Sequence, residues 1–222
     1  TGPAIILYDK EATVTAYFPY DDTVSLTMSS LPLYPGPYDV NRNDLVWQRD
    51  QVHSTHTQAM FLEMQHAMTR VKIRLSKNTV EDDPGTYPGA GKIMGVQIAD
   101  AEDVPESDRV VYFDGTFDLT QAAPVVTPGV PGSVLDMTNK TLAEEGVLYD
   151  LLLLPVEKIT EGKLMLHVVI DDKLISTSFP VDPIGSWEAG KAYTYEVSVR
   201  NGEAQVVFGK ATVTPWNYGG SI

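Results

Sequence analysis

FLEMQHAMTRVKIRL, Phe61 to Leu75, changes its hydrophobic phase partway along. Val71, Ile73 and Leu75 fall on one parity, and Arg70, Lys72 and Arg74 on the other, the period of a strand with one wet face. Upstream, Met60, Leu62, Met64 and Met68 are apolar on the opposite parity, with His66 among them. A strand that changes its buried face needs an extra residue, a bulge, or a crossing from one packing environment to another. His66, beside that change, is expected to be buried and bonded to a backbone carbonyl or a carboxylate. Met60, Met64, Ala67, Met68 and Val71 also fit helical spacing, so a helix over Thr57–Thr69 is the alternative. The strand is the preferred reading.

Working outward, the pattern is β throughout. Ala4–Tyr8, Ala12–Phe18 and Val24–Met28 are short β-rich runs between turn residues. Further strands are expected at Lys92–Ile98, Arg109–Leu119, Leu148–Leu154, Leu164–Ile170, Leu174–Phe179, Tyr193–Val199 and Gln205–Phe208. Three proline- and glycine-rich stretches read as loops: Leu31–Asp39, Glu81–Gly91 and Ala122–Ser133. Short strands punctuated in this way point to sandwiches.

Two hairpins can be registered by counting. Asn201-Gly202 is a strong two-residue turn signal. It would pair Arg200 with Glu203, Val199 with Ala204, Val197 with Val206 and Tyr195 with Phe208. One face then collects Tyr195, Val197, Val199 and Phe208, while Thr194, Glu196 and Ser198 stay wet. In KLMLHVVI–DD–KLISTSF (Lys163–Phe179), Val168 would pair with Ile175, Leu164 with Phe179, and His167 with Ser176.

The chain has 222 residues, 30 acidic against 16 basic, a formal net charge of −14, and no cysteine. So acidic a surface repels phosphate backbones and anionic lipid, so no nucleic-acid partner is expected. Disulfides and thiol chemistry are excluded. No apolar run approaches a membrane span, and no signal peptide is visible at Thr1, as expected of a processed form or of a chain that begins inside a longer protein.

Candidate chemistry is sparse. His53 and His56 have helical metal spacing but lie in the polar stretch QVHSTHTQ, read as a solvated loop. His167, opposite a serine, reads as structural. GAGKIMG (Gly89–Gly95) lacks the helix that a phosphate loop needs. The acidic segments Glu81–Gly85 and Asp100–Asp108 lack the oxygen spacing of a calcium loop. No order of Ser, His and Asp forms a nucleophile motif. The expectation is therefore no enzyme activity, no cofactor and no metal.

Several phrases, in order along nearly the whole chain, resemble the fimbrillin-like family of Bacteroidales, subunits of type V pili and related surface adhesins. ATVTAYFPY (Ala12–Tyr20) is similar to a strand end with an aromatic pair before Pro-Tyr. NDLVW (Asn43–Trp47) is similar to an Asp-x-Leu segment. MFLEMQHAMTRVKIRL (Met60–Leu75) resembles a "Phe-x-His-Ala-Leu-x-Lys-Val" strand, with Met64, Met68 and Arg70 as departures. LLLLPVE (Leu151–Glu157) resembles a strand ending in Leu-Pro. GKAYTYEVSV (Gly190–Val199) and ATVTPW (Ala211–Trp216) are similar to a terminal Gly-Lys-x-Tyr-x-Tyr strand and an Ile-Thr-x-Trp ending.

The resemblance implies an all-β protein of two transthyretin-like β-sandwich domains. Residues 1–57 would be the remainder of an amino-terminal domain and 58–222 the carboxy-terminal one. His66, Tyr193, Tyr195 and Trp216 would be structural signature residues. The implied function is a fimbrial subunit, exported as a lipoprotein to the outer membrane and assembled at the cell surface or in a fimbria. Its partners would be other pilin subunits, through strand exchange, with a host protein or glycan left open. The tail NYGGSI (Asn217–Ile222) is short for a donor strand, which favours a tip or accessory subunit over a shaft pilin. The rival reading is a surface glycan-binding module, which would need clustered exposed tryptophans or a calcium site. A hydrolase would need convergent carboxylates.

Overall fold

The alternation beginning at Thr69 becomes the middle strand of a five-stranded core-forming sheet. Val71, Ile73 and Leu75 are fully buried, and Arg70, Lys72 and Arg74 are half-buried on the other side. The computed structural model describes residues 11–20, 29–53, 62–77, 85–201 and 206–216. Its strands are β1 (Glu11–Phe18), β2 (Ser30–Leu33), β3 (Gly36–Pro37), β4 (Val46–His53), β5 (Gln65–His66), β6 (Thr69–Lys77), β7 (Lys92–Asp100), β8 (Gly115–Asp118), β9 (Val126–Pro128), β10 (Ser133–Asp136), β11 (Lys140–Thr141), β12 (Val147–Leu153), β13 (Leu164–Ile170), β14 (Lys173–Ser178), β15 (Lys191–Val199) and β16 (Val206–Pro215). Helical structure among the described residues is limited to one 3-10 turn, Glu106–Asp108.

Two five-stranded sheets enclose the main core. One runs β16-β15-β6-β12-β3, and the other β10-β7-β13-β14 with β11 also on β7. Pairing is antiparallel except between β15 and β6. The enclosed core includes Val71, Ile73, Ile98, Leu151, Val168, Phe179, Trp187 and Tyr195. Two three-stranded sheets, β1-β4-β5 and β2-β8-β9, frame a second cluster around Leu31, Leu33, Trp47 and Phe117. Two of these pairings cross the expected boundary at residue 57, since β4 pairs with β5 and β2 with β8.

Of the three ways to change the buried face in the opening stretch, the chain takes the crossing. β5 belongs to the sheet of β4, and β6 to the main sheet, with a bend at Ala67–Met68 between them. His66, Ala67, Met68 and Thr69 are all buried, so the inward face changes over four residues that need no wet side. Leu62–Met64 have no regular structure and Gln65–His66 are a strand, so the described part of Thr57–Thr69 is not a helix.

The β13–β14 hairpin has the counted register, with Val168 on Ile175 and His167 on Ser176. Asp171 and Asp172 have φ of 45° and 61°, as a primed two-residue turn requires. The Asp171 carboxylate accepts the backbone N–H groups of Gly91 and Lys92 at 2.9 Å each and the Tyr87 hydroxyl at 2.6 Å. The hydroxyl bond above all holds this carboxyl below its ordinary value.

Other expectations are corrected. In the β15–β16 hairpin Val199 pairs with Val206 rather than Ala204, Val197 with Phe208, and Tyr195 with Ala211 beyond a bulge. The chain leaves the hairpin early because Arg200 bridges to Thr86 and the Asn201 N–H bonds the Gly85 carbonyl at 2.7 Å. The Asn-Gly turn itself extends outside the described residues. The presumed loop Leu31–Asp39 contains most of β2 and all of β3, and Ala122–Ser133 contains β9; all three are sheet-edge strands, where proline is tolerated. Within Arg109–Leu119 only Gly115–Asp118 is a strand. The Asp100 carboxylate instead takes the N–H groups of Val110 and Val111, at 3.0–3.2 Å, before they can join a ladder. Gln51–His53 close β4 rather than a loop. Ala4–Tyr8, Val24–Met28 and His56 lie outside the described residues.

Candidate functional site

The crossover places two of the four expected signature residues in contact. The turn Asp39–Asn43, tied by the Asn43 N–H to the Asp39 carbonyl, delivers Asp44 beneath β5. His66 Nδ1 lies 2.7 Å from Asp44 Oδ1, with the residues 4% and 1% exposed. The His66 ring stacks on Trp216 with centroids 3.6 Å apart and planes 10° from parallel. Trp216 follows β16, and its N–H bonds the Gly190 carbonyl at 2.8 Å.

Tyr38 meets the same indole edge-on at 5.7 Å, and the Arg70 guanidinium lies 3.7 Å from the centre of the Tyr38 ring. Arg70 is held in a two-bond fork by Asp150, at 2.9 and 2.6 Å. Burial works against its charge, but the bonds to Asp150 outweigh this and raise its titration above the ordinary value. Burial, and then the Asp44 carboxylate, raise the Tyr38 phenol. The junction therefore pins the β3–β4 connection, the crossover and the end of β16 to one another. Its contacts are stacking, charge-assisted hydrogen bonds and cation–π attraction.

Tyr193 and Tyr195 lie elsewhere, on the inner face of β15. The Tyr195 hydroxyl accepts the Trp187 indole N–H at 2.8 Å, and its ring meets Phe179 at 5.2 Å and Phe208 at 5.5 Å. Burial pushes the Tyr195 phenol up to about 12. The Tyr193 hydroxyl accepts the Glu188 N–H at 2.8 Å. These are packing roles in a wholly protonated aromatic cluster.

The sequence reading missed Asp44, Tyr38, Arg70 and Asp150 as partners of the signature residues. NDLVW and LPLYPGPYD hold two of them, but nothing in a linear pattern says that a carboxylate at 44 meets an imidazole at 66. Among the described residues no group of three His, Asp or Glu side chains could hold a metal ion. Among the described residues, a groove of about 740 Å³ is lined by residues including Arg109, Tyr112, Val125, Pro128, Glu157 and Lys158. Within that lining the Tyr112 hydroxyl donates to the Arg109 carbonyl at 2.7 Å. All three tryptophans are buried: Trp47, Trp187 and Trp216.

This arrangement defines an all-β protein in which His66, Asp44 and Trp216 join the crossover to the end of β16. A family model described as fimbrillin-like matches residues 2–216, and the chain belongs to that family of fimbrial and cell-adhesion proteins. The fold is similar to that of a candidate cell adhesion protein from Bacteroides uniformis, with a TM-score of 0.65 and 15% identity over 94% of this chain and 74% of that one. A candidate cell adhesion protein from Bacteroides ovatus gives 0.62 and 17%, over 96% and 70%. A fimbrial protein from Bacteroides vulgatus gives 0.51 and 12%, over 91% and 77%. At these identities the likeness is one of fold. No curated protein matches the sequence.

Proposed function

We propose that this chain is a structural subunit of a cell-surface fimbria, a tip or accessory adhesin that acts by assembly and catalyses no reaction. In this reading it is exported as a lipoprotein to the outer membrane and joins other pilin subunits by strand exchange. Its two hydrophobic clusters would be two transthyretin-like sandwiches, divided in sequence near residues 57 and 58, with β5, β8 and β9 lent to the first. The observation that carries the proposal is the family match from residue 2 to residue 216. Strand β16 supports the mode of assembly: it is ten residues long and, among the described residues, lies at the end of its sheet and pairs through β15 alone. A strand edge of that length suits β-augmentation, in which main-chain bonds supply affinity. The tail Asn217–Ile222 lies outside the described residues. The burial of all three tryptophans weighs against the glycan-platform reading.

The test is to remove an amino-terminal segment by limited proteolysis, then follow the protein by size-exclusion chromatography and electron microscopy. The expected outcome is no long homopolymer from this chain alone, and incorporation when a shaft subunit is added. Long homopolymers would refute the tip role. Robust hydrolysis of a polysaccharide by the purified protein would refute the structural reading as a whole.

A further inference from the structure

The outer face of the β10-β7-β13-β14 sheet is unusual for this chain. Pairing sets its side chains in rows across the strands. Leu135, Gln97, His167 and Ser176 form one row, and Ser133, Ala99, Met165 and Ser178 a second. In a third row Val169 lies between Gly95 and Leu174, with Met137 beside Gly95, where an added Cβ would come within 2.9 Å of the Met137 sulfur. Leu174, Met137 and Leu135 are 65%, 56% and 45% exposed.

None of these twelve positions carries Asp, Glu, Lys or Arg, in a protein of formal net charge −14. His167 adds no fixed charge: its Nδ1 lies 2.7 Å from the Ser176 hydroxyl, and burial pushes the imidazole below its ordinary value against the pull of Glu102. The wet face of an antiparallel sheet is normally polar. This one is apolar at both margins and built of small residues toward one end.

We propose that this face is a self-contact, taken by the same face of a second copy of the chain. Two copies of so acidic a protein repel each other, and this uncharged face is where they meet at low electrostatic cost. Two-fold symmetry sets each row against itself. A two-fold axis along the strands, between β7 and β13, lays β10 of one copy over β14 of the other and keeps each row at its height. Leu135 then comes over the small Ser176, and Met137 over Leu174. The face measures roughly 20 by 20 Å, or about 400 Å² per copy, so the contact is weak and transient in solution. It gains force where many copies lie side by side. The inference goes beyond the fimbrial reading and does not depend on strand exchange.

The natural absence of cysteine gives a clean test on the intact, unproteolysed chain. Leu135→Cys and Ser176→Cys proteins are mixed under mild oxidation. A mixed disulfide dimer is expected, several-fold above the yield from either variant alone. The two positions lie on opposite margins of the sheet, roughly 14 Å apart within one copy and beyond disulfide reach, so a bridge between them reports a second copy. Equal yields in the mixture and in the single variants, or no cross-link, would overturn the proposal. Sedimentation of the unmodified chain at about 1 mM should show dimer that increases with salt, as charge repulsion is screened. Leu174→Glu should return it to monomer with an unchanged melting temperature. A chain that stays monomeric there, even if the face takes some other apolar partner, is equally fatal to the idea.

Discussion

Tyr195 illustrates what single residues contribute. Counting from the Asn-Gly turn placed it opposite Phe208; it sits opposite Ala211, yet its ring still meets Phe208 at 5.5 Å. The two-residue offset at Val199 preserves parity, and the bulge between Tyr195 and Val197 leaves the phenol facing the core. The residue has two separable roles, ring packing and acceptance of the Trp187 N–H. Tyr195→Ala should cost about 3–5 kcal/mol, as large aromatic truncations do. Tyr195→Phe should cost about 1–2 kcal/mol, because it strands a buried indole donor. Chemical denaturation of both variants measures the two losses. An unchanged midpoint in the alanine variant would show that the ring contributes no packing. His66 shows the opposite balance of legibility. Its burial could be read from its apolar neighbours, but its carboxylate partner and the indole it stacks on lie 22 positions before it and 150 positions after it in the chain.

At the scale of elements, the two hairpins diverge for one reason. The β13–β14 turn is closed by its own geometry, since both aspartates adopt positive φ and Asp171 is fastened to Tyr87, Gly91 and Lys92. The β15–β16 turn competes with an outside partner, the Gly85–Thr86 segment, which takes Asn201 and Arg200. Local turn chemistry decides register only where nothing else claims the adjoining backbone. Asp172 uses its left-handed conformation without a side-chain bond among those described, so it bears a steric cost that glycine would avoid. Asp172→Gly should therefore stabilise the protein by about 0.5–1 kcal/mol, seen as a rise in thermal midpoint. A lower midpoint would mean that the aspartate makes a contact that the turn needs.

At the scale of the molecule, the two hydrophobic clusters share strands. On β12, Leu151 and Leu153 face the main core, while Leu152 and the following Leu154 face the second cluster. On β15, Tyr193 and Ala192 divide in the same way, and the crossover supplies Ala67 and Met68 to one side and Val71 to the other. A strand buried on both faces cannot unfold with one cluster and stay folded with the other. Thermal unfolding should thus be a single transition with matching calorimetric and van't Hoff enthalpies. Leu152→Ala should lower that transition as a whole, by about 2–5 kcal/mol. Two separated transitions, or a Leu152→Ala variant that destabilises only one of them, would refute the coupling.

The sequence by itself determined the β class, the alternating faces of β6, β13 and β15, the register of the Asp-Asp hairpin, and the change of buried face near His66. Each depends on periodicity or on turn chemistry within a few residues, and such local preferences survive into the fold when tertiary contacts agree with them. Only the tertiary structure decided the pairing of Asp44 with His66, the stacking of Trp216, and the sheets in which the proline-rich segments found edges. It also decided the sharing of β12 between two clusters. Those depend on which distant segments meet, because a carboxylate, an indole or a free strand edge is satisfied by any partner of the right geometry, and sequence spacing does not encode which one arrives.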